Sequence, residues 1–128
     1  MTVESNKTLI REYLDALRRD KSPATLDKYI AEDELKQHIA MYDVTLPGYW
    51  IEADDMVAEG DKVALWGTVH GVHKGPLMDI APTNKQVSFS LFITYRIANG
   101  KIVEHWMLAD MLSLLQQVGA MPAPASSS

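Results

Sequence analysis

The sequence predicts an α+β domain in which helices come first and an antiparallel sheet follows, the sheet curling over an apolar pocket. Three observations carry this. Leu9, Ile10, Tyr13, Leu14 and Leu17 fall on one helical face. Beyond residue 86 the period changes to two: Val87, Phe89, Leu91, Ile93, Tyr95 and Ile97 lie on one side of a strand, with Phe92 the exception on the other. Asn99-Gly100 then marks a tight hairpin turn. Helices followed by a run of antiparallel strands must cover one face of the sheet, and a sheet that curls around a helix layer leaves room for a cavity.

The elements follow in order. A first helix spans Ser5 to about Arg19. Ser22-Pro23 reads as an N-cap with proline at the first helical position. The short helix it opens buries Leu26, Tyr29 and Ile30, and a third helical stretch runs from Asp33 to about Tyr42. Pro47-Gly48 is a turn signal. Residues 50–58, the turn Glu59-Gly60-Asp61 and the segment KVALWGTVHGV read as a hairpin. Residues 74–85 hold Gly75, Pro76 and Pro82 and read as a loop. The strongest strand pairs across Asn99-Gly100 with IVEHWMLA, which ends at Asp110. Met111 to Val118 is a last amphipathic segment, closed by Gly119. A single domain over residues 1–119 is expected, with 120–128 a disordered, Pro-rich tail.

Composition narrows the function. The chain has 128 residues, enough for one domain with a sizeable core. The absence of cysteine removes disulfides, thiolate catalysis and Cys-ligated zinc. The net charge is −5 with no basic stripe, which argues against nucleic-acid partners. No secretory pattern and no membrane-length apolar run is present, so a cytoplasmic location without membrane partners is expected. No P-loop, dinucleotide, nucleophile-elbow or HExxH motif supports nucleotide, covalent serine or metalloprotease chemistry.

With the last hairpin read as regular, Ile97 faces Ile102 and Phe89 faces Asp110. Glu104, Trp106, Leu108 and Asp110 then share the inner, apolar face. A carboxylic acid buried there is driven above its ordinary pKa, as a general acid or base near neutrality requires. Asp110 also directly precedes MLSLLQQ, so on spacing alone it reads first as a helix cap, and the two roles are compatible. Glu104 is either a substrate contact or the partner of a cation or tyrosine.

His70 and His73 lie three apart on a strand and point to opposite faces, which is wrong for joint metal ligation. His73 faces inward with Gly67 and Gly71, which leave room beside it. His38 lies near Ile39, Met41 and Tyr42. Both histidines are candidates for function or for satisfied core positions. His105 falls outside in this register, and a bulge would reverse that. Tyr13, Tyr49, Trp50 and Trp106 suit a core or a pocket wall that needs one polar atom each. The outer face, with Phe92, Val103, His105 and Met107, is apolar enough to predict a homodimer or higher homo-oligomer.

Two stretches resemble a known family. GVHKGPLMDIAPTNKQVSF (71–89) and YRIANGKIVEHWMLADMLSLLQQVG (95–119) are similar to segments of SnoaL-like polyketide cyclases and ester cyclases, of the nuclear transport factor 2-like superfamily. The resemblance implies a cone of curved antiparallel sheet wrapped around the N-terminal helices. It implies ring closure by intramolecular aldol condensation without metal or cofactor. Asp110, counted from Trp106, would be the acid/base, and His38 and His73 would match the family's pocket histidines. Tyr13, Trp50, Glu104 and Trp106 would contact a small hydrophobic substrate. The sequence departs from the family at Ile39, where asparagine is common, at Asp79–Asn84, and at Gly67, with Trp66 one place earlier. Those departures bear on the substrate. Dehydration, isomerisation or epoxide hydrolysis in the same pocket, or non-catalytic binding of a hydrophobic ligand, are the alternatives.

Overall fold

The computed structural model describes residues 2–77 and 79–120. Three helices come first: α1 (Val3–Arg19), α2 (Pro23–Tyr29) and α3 (Asp33–Thr45). Strands β1 (Trp50–Glu59), β2 (Lys62–Val72), β3 (Gln86–Ala98) and β4 (Lys101–Ala109) follow, and α4 (Met111–Gln117) closes the fold. The strands form one antiparallel sheet in the order β1-β2-β3-β4. The α+β architecture expected from the sequence is therefore the one observed.

Local chemistry sets the boundaries. α1 begins two residues earlier than its apolar stripe requires, because Thr2 and Ser5 form a reciprocal capping box. Ser22 caps α2 with Pro23 in its first turn. Asn99 and Gly100 both take positive φ, 53° and 74°, as a two-residue hairpin turn demands. α3 runs three residues past Tyr42. The tail beyond Ala120 lies outside the described residues. Among those residues, no helix is long and apolar enough to cross a membrane.

The core lies between the concave face of the sheet and the helices. Ile10, Tyr13 and Leu17 of α1 meet a floor that includes Val63, Leu65, Leu91, Ile93 and Tyr95, all buried. Each such aliphatic side chain contributes about 1.5–3 kcal/mol by leaving water. α4 lies against β3 and buries Leu114.

One irregularity decides which side chains enter the concave face. Ile97 pairs with Ile102, but Arg96 pairs with Glu104, so Val103 is an extra residue on β4. From there the strand is rotated by one position, since a strand's side chains alternate with period two. His105, Met107 and Ala109 turn inward, opposite Tyr95, Ile93 and Leu91. Glu104, Trp106 and Leu108 turn outward, opposite Arg96, Thr94 and Phe92. This corrects the regular register and reverses the faces it assigned to Glu104, Trp106 and His105.

The loop between β2 and β3 is pinned rather than free. His73 and the 84–85 segment exchange backbone hydrogen bonds of 2.8 and 2.9 Å. The Gly75 N–H donates to the Thr45 carbonyl at 3.0 Å, and Thr45 Oγ1 donates to the Pro76 carbonyl at 2.9 Å. These bonds tie the loop to the end of α3.

Candidate active site

A cavity of about 40 Å³ lies between the concave sheet, α1 and α3. Its walls are apolar: Leu17 from α1, Leu35 and Ile39 from α3, and Phe89, Ile93 and Met107 from the sheet are typical. The polar groups among them are the hydroxyls of Tyr13, Tyr42, Tyr49 and Tyr95 and the imidazole of His38. α3 makes fewer close approaches to the sheet than α1 does, and the cavity occupies that gap.

The tyrosines are held neutral. Burial pushes the Tyr13 hydroxyl well above its ordinary pKa, and the nearby Tyr95 and Tyr49 hydroxyls push it further. Burial also raises Tyr95, with Tyr49 adding to the shift and the Tyr13 hydroxyl opposing it. Tyr49 is raised by burial first and by Asp43 and Tyr42 next. The Tyr13 and Tyr95 rings meet edge to face, centroids 5.7 Å apart. The result is a pair of neutral tyrosines side by side in the lining of an apolar cavity.

His38 projects from α3 into the lining. Its Nε2 lies 3.9 Å from Glu34 Oε1, and its Nδ1 is buried without a hydrogen-bond partner among the described residues. Its ring stands edge-on to His105, centroids 5.4 Å apart at 81°. The His105 side chain is 4% exposed, and its Nδ1 hydrogen-bonds the carboxylate of Glu32. Glu32 occupies the N-cap position of α3, yet its side chain makes no capping bond. The segment before it is stapled to β4 by the Ala31 N–H to Ile102 carbonyl bond of 2.8 Å and by the Ile30–Ile102 bridge. The bulge and this staple together bring Glu32 and His105 into contact. Sequence reasoning missed both residues as site members. A regular strand turns His105 outward, and the bulge that reverses it has no sequence signal of its own.

Of the residues singled out from the sequence, Tyr13, Tyr49 and His38 line the cavity. Asp110 does not; it follows Ala109 of the lining, is exposed, and accepts the Ser113 backbone N–H at 3.0 Å as the N-cap of α4. His73 is fully buried outside the lining, its Nδ1 accepting the Thr83 N–H at 3.3 Å and lying 3.0 Å from Thr83 Oγ1. The space expected beside His73 is filled. A side chain at Gly71 would meet Leu46 at 3.1 Å, and one at Gly67 would meet the Glu52 carbonyl at 2.7 Å. Trp50 stacks on His70 at 4.5 Å, with the Arg18 guanidinium 3.7 Å from its ring centroid, away from the cavity. Glu104 accepts from Arg96 on the outer face, where Trp106 is half exposed. Among the described residues, no group of His, Asp and Glu is arranged to hold a metal ion.

Comparison with known proteins agrees with this architecture. The sequence model of the SnoaL-like polyketide cyclase family matches residues 4–118. AclR from Streptomyces galilaeus, a proposed hydroxylase, superposes with a TM-score of 0.84 at 26% identity, over 98% of this chain and 88% of AclR. TsrD from Streptomyces laurentii gives 0.79 at 26% identity, over 94% of this chain and 99% of TsrD. IdmH from Streptomyces antibioticus, a proposed polyketide cyclase, gives 0.77 at 21% identity, over 89% of this chain and 98% of IdmH, and shares the fold. No curated protein matches the chain. A family match across nearly the whole chain, on a cavity-bearing α+β fold shared with these structures, means that the chain belongs to the SnoaL-like polyketide cyclases.

Proposed function

We propose that the protein performs cofactor-free acid/base chemistry on a small apolar carbonyl compound, in the manner of an aldol-type cyclase. The observation that carries this reading is the polar inventory of the cavity. Tyrosines held neutral and one histidine are the side chains with a polar group in an otherwise apolar lining. In such a space a carbonyl oxygen is met by a hydrogen-bond donor that need not be stripped of water when charge develops. Removal of a proton from the adjacent carbon leaves an enolate. Tyr13 and Tyr95, with His38, are the groups placed to stabilise its oxygen. Attack of the enolate carbon on a second carbonyl of the same molecule forms the ring bond, and the returned proton makes the alcohol. The cavity of about 40 Å³ has room for a few waters, so binding a ketone requires it to widen.

The test is proton exchange. The protein is incubated in deuterium oxide with ketones graded from butanone to 2-tetralone, and deuterium at the α-carbon is followed by NMR. Exchange faster than in buffer and in unfolded protein is expected, with loss of at least about tenfold in Tyr95→Phe. No acceleration for any ketone would overturn the reading. It would favour the second one, a non-catalytic pocket for a hydrophobic ligand. The observation behind that second reading is that the Asp110 carboxylate is engaged as a helix cap on the exposed surface.

A further inference from the structure

An aldol-type reaction needs a proton-accepting group, and the tyrosines and His38 are assigned above to the enolate oxygen. Resting on the proposed function, we propose that Glu32 and His105 form a carboxylate–imidazole dyad that serves as the general base of the cavity. Three observations and one energetic argument converge on it. The His105 side chain is 4% exposed and Glu32 is 19% exposed, so the pair is largely withdrawn from water. Burying two ionisable groups together costs desolvation that their attraction scarcely repays, which makes the pair poor as a mere stabilising device. Glu32 stands where it could cap α3, and instead its carboxylate binds His105 across 73 residues of sequence. The bulge at Val103 re-aims the whole inner row of β4, and without it His105 would face outward.

His105 is not itself among the lining residues, but its neighbours set it directly behind the cavity wall. Tyr95 lies directly across the ladder, His38 stands edge-on to it, and Met107 follows it on the same face; all three line the cavity. Glu32 accepts the hydrogen bond from Nδ1, which leaves Nε2 as the basic nitrogen. That nitrogen has no hydrogen-bond partner among the described residues. In the proposed step the lone pair of Nε2 takes the proton from the carbon next to the substrate carbonyl. The C–H bonding electrons pass into the enolate, whose oxygen the Tyr95 hydroxyl meets from the opposite strand. The imidazolium so formed is held by the Glu32 carboxylate, and it returns its proton to the new alkoxide after ring closure. No electrons leave the substrate and no further reactant is needed. The arrangement is that of a base oriented by a third group, built between a helix cap and a bulged strand.

The experiment uses the same deuterium exchange with three variants. His105→Gln keeps a donor for Glu32 but removes the base, and the exchange rate should fall by about a hundredfold or more. Glu32→Gln should lower it by at least about tenfold, with Glu32→Asp recovering part of the loss. His70→Gln, on the outer side of the sheet, should leave the rate unchanged. Long-range proton–nitrogen NMR on the wild-type protein gives a readout independent of turnover and of variant folding. It should show His105 protonated at Nδ1 and bare at Nε2, with the Nε2 resonance moving when ketone is added. Wild-type exchange that survives both dyad variants overturns the dyad while leaving the proposed function standing. An Nε2 resonance that ignores the ketone likewise overturns it. Absence of exchange in the wild-type protein overturns the function and the dyad together.

Discussion

Asp110 Oδ1 accepts the backbone N–H of Ser113 at 3.0 Å, three residues into the turn it opens. The bond satisfies one of the donors that the first turn of α4 cannot satisfy within the helix. Asp110→Ala should therefore lower stability by about 1 kcal/mol, while Asp110→Asn, an equally good cap, should cost only a few tenths. Urea melts of both variants check this. Equal losses would mean that the charge rather than the cap matters.

Among the glycines, Gly75 has the closest backbone neighbour. A Cβ there would sit 1.8 Å from the Val44 carbonyl oxygen, a distance that no side-chain rotation relieves. Gly75→Ala must push the loop off the end of α3 and break the Gly75 N–H to Thr45 bond. The expected loss is at least about 2 kcal/mol, seen as a fall in Tm of several degrees. A Tm unchanged from wild type would contradict this packing.

Stability should fall in alkali. Tyr13, Tyr49 and Tyr95 have pKa values raised by burial in the folded protein, whereas the unfolded chain ionises them near pH 10. Above that pH the unfolded state releases protons that the folded state retains. The stabilising contribution is thus full below about pH 10 and is lost as the pH climbs toward the folded values. Tyrosinate absorbance for these three rings should rise together with the loss of circular dichroism. Ionisation of all five tyrosines well before unfolding would refute it.

Trp66 and Phe92 stack on the outer face of the sheet, planes 14° apart, and Trp106 and Leu108 extend the same exposed patch. The bulge changes its membership from the sequence expectation: Met107 and His105 leave it, Trp106 and Leu108 join it. An apolar face of this kind is expected to be covered by a second copy of the chain. Sedimentation should give a dimer that Phe92→Glu converts to monomer. A wild-type monomer at tens of micromolar would rule it out.

The helices and strands were legible because local signals agreed with them. Ser22-Pro23, Asn99-Gly100 and the alternation from Val87 to Ile97 each carry a physical cause within a few residues. The face of β4 was not legible. Glu104, Trp106 and Leu108 alternate with His105, Met107 and Ala109, and both sets contain large apolar side chains. Hydrophobic pattern cannot choose between them, and the bulge that does choose leaves no mark at Ile102-Val103. Tyr13 and His38 were found because they sit on helical faces with apolar neighbours. Glu32 was not, because its partner lies 73 residues away.

Strand β4 holds two complete linings back to back, and the extra residue at Val103 selects between them. Loss of one residue at that point would act on the sheet as a frameshift acts on a message. It would withdraw an imidazole, a thioether and a methyl group from the inner face of the sheet and present a carboxylate, an indole and an isobutyl group instead. A single length change thus exchanges the chemistry of the wall without altering any of the side chains that compose it. Relatives that differ in length by one residue after the Asn-Gly turn can therefore be sorted by which lining they display, before any substrate is known.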